Sequence, residues 1–93
     1  MLLLLAACVH TPDPVQGAEV YAFACESCHG ANGAAGVQVS GVPAADLGTV
    51  VPDRSDEALL TVITDGLGAM PRVNLDPNDA DDCVAYVRAT FGG

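Results

Sequence analysis

The chain has no lysine and no tryptophan, and only three arginines (Arg54, Arg72 and Arg88) oppose twelve Asp and Glu. A net charge of −9 repels phosphate backbones and excludes nucleic acid as a partner. It equally excludes a polybasic contact with a membrane surface. What it favours is solubility and association with basic or neutral protein surfaces. Aromatics are scarce, two Tyr and two Phe in 93 residues. A single domain of that length hides only about 60–65% of its unfolded surface, so side chains alone give a marginal core. Such domains recruit a disulfide, a metal or a cofactor. No segment alternates as a half-buried strand does, and no internal repeat or low-complexity run is present. No apolar run approaches the roughly 20 residues that span a bilayer.

The N-terminus reads MLLLLAA followed by Cys8. The basic start of an ordinary secretory leader is missing. Leu5-Ala6-Ala7-Cys8 resembles a lipobox, the cleavage and lipidation signal of bacterial lipoproteins, with Cys8 as the residue that takes the lipid. The expected division is residues 1–7 as a lipoprotein-type signal segment, 8–14 as a tether, and 15–93 as the folded domain. Export is expected, with the protein periplasmic or held at the membrane only through Cys8. Pro12 and Pro14 keep the tether extended. His10 lies in it and reads as a solvated linker histidine.

Three helices are expected. The first takes Asp13 as N-cap and Pro14 as its first residue and runs to about Cys25. Val15, Ala18, Tyr21, Ala22 and Cys25 are its apolar positions. The second runs from about Ser55 to Asp65, with Leu59, Leu60 and Ile63 facing inward and Gly66 at its end. The third starts after Asp76, with Pro77 at its first position and Asp79 near the positive end of its dipole. It ends near Phe91, with Ala80, Cys83, Val84, Val87 and Phe91 on one side. Residues 30–51 are rich in Gly, Ala and Pro. A structureless wrap of that length needs something to fill the space it encloses.

Of four cysteines, two stand in Cys25-Glu26-Ser27-Cys28-His29. This is C-x-x-C-H, the attachment pattern of haem c. Two thiols three residues apart on a helical turn reach the two vinyl groups on one porphyrin edge, and the following imidazole is carried under the iron. Two other uses of a C-x-x-C pair fit less well. A thioredoxin-like redox pair needs a βαβ context. A structural zinc needs four ligands, and no second pair follows. Cys83, on the apolar side of the third helix, reads as a buried free thiol.

The stretch from Gly17 to Gly30, GAEVYAFACESCHG, resembles the start of class I c-type cytochromes. That family carries a glycine eight residues before the first cysteine and an aromatic four before it, which match Gly17 and Tyr21. The segment Ala85-Tyr86-Val87-Arg88-Ala89-Thr90-Phe91 is similar to the family's closing helix, and Tyr86 matches the aromatic packed where the first and last helices cross. The resemblance covers about Val15 to Phe91. It implies an all-α fold of three to four short helices around one covalently bound haem c, held through Cys25 and Cys28. It implies His29 and Met70 as the iron ligands, since Gly66-Leu67-Gly68-Ala69-Met70-Pro71 looks like the family's methionine loop. It also implies that the carbonyl of Pro43 accepts the His29 ring N–H. Arg54 and Arg72 are candidates for the propionates, or are plain surface.

The activity so implied is electron carriage rather than catalysis: one-electron transfer between protein donors and acceptors. Those partners are expected to present a basic or neutral docking surface. The alternative is a haem enzyme or gas-sensing domain with an open sixth coordination position. The family's frequent lysines around the haem edge are absent here.

Overall fold

Helix signals in the sequence account for the architecture. The computed structural model describes residues 10–34, 38–39 and 41–92; the segment 1–7 and Cys8 lie outside them. Helix α1 spans Pro14–Ala24, α2 Glu26–His29, α3 Leu47–Val50, α4 Asp56–Asp65 and α5 Pro77–Phe91. A 3₁₀ turn, Val51–Asp53, extends α3. The strands β1 (Gln38–Val39) and β2 (Val42–Pro43) form a two-residue antiparallel ladder pairing Gln38 with Pro43. The fold is thus all-α, with three principal helices. Among the described residues, no helix is long and apolar enough to cross a membrane.

The helix starts obey local chemistry. The side chains of Asp13, Ser55 and Asp76 accept from the Val15, Ala58 and Asn78 N–H groups. Each such cap contributes about 1 kcal/mol. Pro14 and Pro77 occupy first-turn positions, where a missing N–H costs nothing. Gly66 ends α4 with φ of 81°. A Cβ there would also meet the Met70 carbonyl oxygen at 2.7 Å.

α1 and α5 form the most extensive helix pair. They approach closely because Gly17 is buried in their crossing. Tyr21, Tyr86 and Phe91 then pack as an aromatic triad with ring centroids 5.3 to 6.1 Å apart. Such pairs add about 0.5–1.5 kcal/mol each beyond their buried area. Val20, Tyr21, Val51, Leu59, Ile63, Ala80, Cys83, Val84, Val87 and Phe91 form one core cluster.

The inward side of α1 differs from the expected one. Val15 and Ala22 are exposed, and Gly17, Val20 and Tyr21 are buried instead. α1 is apolar nearly all round, so its period does not fix its rotation. The close approach at Gly17 does, and it leaves Phe23 89% exposed.

The expectation for His10 is also overturned. Its Nε2 lies 2.7 Å from Oδ1 of Asp82, a buried carboxylate on α5. The Asp13 N–H donates to the same oxygen at 2.8 Å. The residues leading into α1 are therefore pinned to α5 rather than solvated. Burial opposes ionisation of Asp82, but these two hydrogen bonds and the His10 charge outweigh it and hold the carboxyl below its ordinary pKa.

Candidate cofactor site

An apolar cleft opens between the C-terminal end of α1, the segment 43–47 and the segment 66–73. Its outer part, about 210 Å3 and open to solvent, is walled by Cys25, Cys28, His29, Pro43, Met70 and Pro71 among others. Its inner part continues past Cys25, His29 and Met70 to Leu47, Leu59, Ile63, Arg54 and Cys83. The lining is mostly apolar, so this space suits a large apolar group.

Cys25 caps α1 and starts α2. The turn of α2 then carries Cys28 and the buried His29 to the cleft wall. Tyr21 holds this turn in place: its hydroxyl donates to the Gly30 carbonyl at 2.6 Å. Burial first, and then the nearby Cys25 thiol, push the Tyr21 hydroxyl up to about 12, so it remains a donor.

His29 Nδ1 lies 2.9 Å from the carbonyl oxygen of Ala45. A carbonyl only accepts, so Nδ1 carries a proton and Nε2 is the ring nitrogen left to meet a ligand. This corrects the expectation for Pro43. Its residue lines the cleft, but the oxygen that takes the His29 N–H belongs to Ala45. Pro43 stands opposite Gln38 in the short ladder. Ala45 is free of it, and the Leu47 N–H donates to Gly33 at 2.8 Å, tying this segment beside α2.

Across the cleft, Met70 sits in a closed turn. Leu67 and Met70 exchange backbone hydrogen bonds of 3.0 and 2.9 Å. The turn is anchored to α4 through the Val73 N–H, which donates to the Ile63 carbonyl at 2.8 Å. Met70 is half-buried and lines both parts of the cleft. Of the two candidate arginines, Arg54 lines the inner cleft and Arg72 is exposed.

The loop that carries Arg54 is held by Arg88, which no sequence signal marked. Arg88 donates to the Val51 carbonyl at 3.0 Å, to the Arg54 carbonyl, and to Asp56 at 2.9 Å.

Cys83 is buried on α5, as expected, and its Sγ lies 3.9 Å from Sγ of Cys25. That hydrogen bond, and then burial, push the Cys83 thiol far above its ordinary range. The same bond lowers Cys25 against the opposing effect of burial.

The donor set fits a haem c. Two thiols, an imidazole and a thioether line one cleft, and the rest of its lining is apolar. Among the described residues, no cluster of three or more His, Cys, Asp or Glu side chains is placed to hold a metal ion. Nor does any βαβ unit surround the C-x-x-C pair.

Comparison with known proteins agrees with this geometry. The family model described as cytochrome c oxidase, cbb3-type, subunit III matches residues 12–87. A solved c-type cytochrome, KustC0563, superposes with a TM-score of 0.67 at 25% identity, over 80% of this chain and 95% of that one. No curated protein matches the chain.

Proposed function

The chain belongs to the c-type cytochrome family described as cytochrome c oxidase, cbb3-type, subunit III, and from that premise we propose that it is a single-electron carrier with one haem c on Cys25 and Cys28. His29 and Met70 are its proposed iron ligands. Membership implies a covalently bound haem and electron transfer; the residue roles are our reading. The observation that carries it is the hydrogen bond from His29 Nδ1 to Ala45, which leaves Nε2 as a ligand in the cleft that Met70 also lines.

The bound haem supplies an Fe(II)/Fe(III) couple, which a thioether ligand biases toward the reduced state. The protein's residues do the rest. Cys25 and Cys28 retain the group covalently. Ala45 fixes the His29 ring and raises its basicity. The turn from Gly66 to Pro71 holds the Met70 thioether in the cleft lining, where it would serve as the second iron ligand. Leu47, Leu59 and Ile63 keep the inner cleft dry, which limits reorganisation on electron gain. Arg54 offers a cation to a propionate. Pro43, Ala44 and Leu67 give the mouth an apolar rim for a partner protein.

The lipobox-like Leu5-Ala6-Ala7-Cys8 supports export and a lipid on Cys8. The carrier then works outside the cytoplasm, held at the membrane by that anchor. Mass spectrometry of the exported protein tests both parts. It should show the added mass of one haem on the peptide with Cys25 and Cys28, and a diacylglycerol on Cys8. A haem-free protein exported from a haem-competent host contradicts the reading.

A further inference from the structure

Helix pairing sets a third cysteine against one member of the C-x-x-C pair. Cys25 ends α1 and Cys83 lies in the middle of α5, 58 residues away, yet their sulfurs are 3.9 Å apart. Both side chains are buried, at 9% and 1% exposure. The contact is produced by α1 against α5, through Gly17, Tyr21 and Tyr86. We propose that Cys25 and Cys83 form an intrachain disulfide in chains that have not yet received haem, and that this link competes with haem attachment.

The geometry asks little of the chain. A disulfide has an S–S length of about 2.0 Å, so from 3.9 Å the sulfurs must close by about 2 Å. An exported chain meets an oxidising compartment, where paired thiols are converted to disulfides. The step balances. Each thiol gives up one proton and one electron, and the two sulfurs share the new bond. The two electrons and two protons reduce a thiol oxidant, a protein disulfide or cystine, to two thiols.

The consequence follows from which sulfur is taken. Cys25 in a disulfide has no thiol to add to a vinyl group. Cys28, three residues on and less buried, is placed to reopen the link. Its thiolate attacks Cys25 Sγ, the S–S bond passes to Cys25–Cys28, and Cys83 leaves as a thiolate that takes up a proton. A dithiol reductant then frees both haem cysteines. Once Cys25 carries a thioether, Cys83 stays a buried thiol. The link itself does not depend on haem, whereas its competition with attachment rests on the function proposed above.

The test uses the full chain, haem-free, incubated with cystine, alkylated and digested without reduction. Cleavage after Arg54 and Arg72 places Cys83 on a different peptide from Cys25 and Cys28. The expected product is the two peptides joined through Cys25 and Cys83, with Cys8 and Cys28 alkylated, located by fragmentation and separated by dithiothreitol. A Cys25–Cys28 link alone, a Cys8–Cys83 link, or four alkylated cysteines overturns the proposal. A second arm exports the wild-type and Cys83→Ser chains from a haem-attaching host, with and without added cystine. Haem per protein is read from a peroxidase stain on a denaturing gel. Cystine should lower loading several-fold in the wild type and much less in Cys83→Ser; an equal loss in both overturns the competition. Haem on neither chain, with the mapped link present, contradicts the haem reading and leaves the disulfide standing.

Discussion

Gly17 of α1 lies so close to α5 that a Cβ built on it would overlap the Asp82 carbonyl oxygen and sit 2.8 Å from the Tyr86 Cβ. This approach sets the rotation of α1, and with it the position of Cys25 at the cleft. A Gly17→Leu chain must push the two helices apart. The expected cost is about 1–3 kcal/mol, as for other overpacked cores. Thermal unfolding of the variant checks it, and an unchanged midpoint contradicts the crossing.

Asp82 gives the fold an acid-sensitive staple. Its folded pKa is depressed, by the Asp13 N–H and His10 acting against burial. Its ionisation therefore stabilises the fold fully above the unfolded value of about 3.9, and this is lost as pH falls through the folded value. Acid titration of wild-type and Asp82→Asn chains is the measurement. The stability gap between them should narrow as the pH drops below about 4. A gap independent of pH there counts against the staple.

Arg88 ties α5 to the loop that carries Arg54, with two backbone carbonyls among its acceptors. A lysine is a compact point charge without the planar fork. Arg88→Lys should lose about 1–2 kcal/mol, most of it from the carbonyl bonds rather than from exposed Asp56. Denaturant unfolding measures this. A loss as small as that of Asp56→Ala would show that the carbonyl bonds contribute nothing.

A carrier with net charge −9 should dock to a basic redox protein through long-range attraction. Screening acts over about 8–10 Å at ordinary salt, so the association rate should fall as ionic strength rises. Stopped-flow electron transfer across a salt series reports it. A flat rate would point to contact through the apolar rim alone.

Much of this was legible in local chemistry. Asp13-Pro14, Ser55, Asp76-Pro77 and Gly66 mark the helix ends because caps act within a few residues. Cys25, Cys28 and His29 form a motif because one helical turn positions all three. What stayed hidden depends on contacts distant in the chain. The His10–Asp82 pair spans 72 residues and the Cys25–Cys83 contact spans 58. The rotation of α1 was ambiguous because Val15, Ala22 and Phe23 are as apolar as its buried positions. The partner of His29 is Ala45 rather than Pro43, a choice between carbonyls two residues apart that spacing does not fix, and a two-residue ladder leaves no alternation to read.

The central claim is that His29 and Met70 close the two faces of a covalently held iron. The most direct test is the reduction potential of Met70→Ala, measured with its carbon monoxide binding. The haem should stay attached, because the thioethers on Cys25 and Cys28 do not depend on Met70. The potential should fall, since the ligand favouring reduced iron is gone, and carbon monoxide should bind readily. An unchanged potential with no gain in carbon monoxide binding would show that Met70 only lines the cleft and that another group holds the iron.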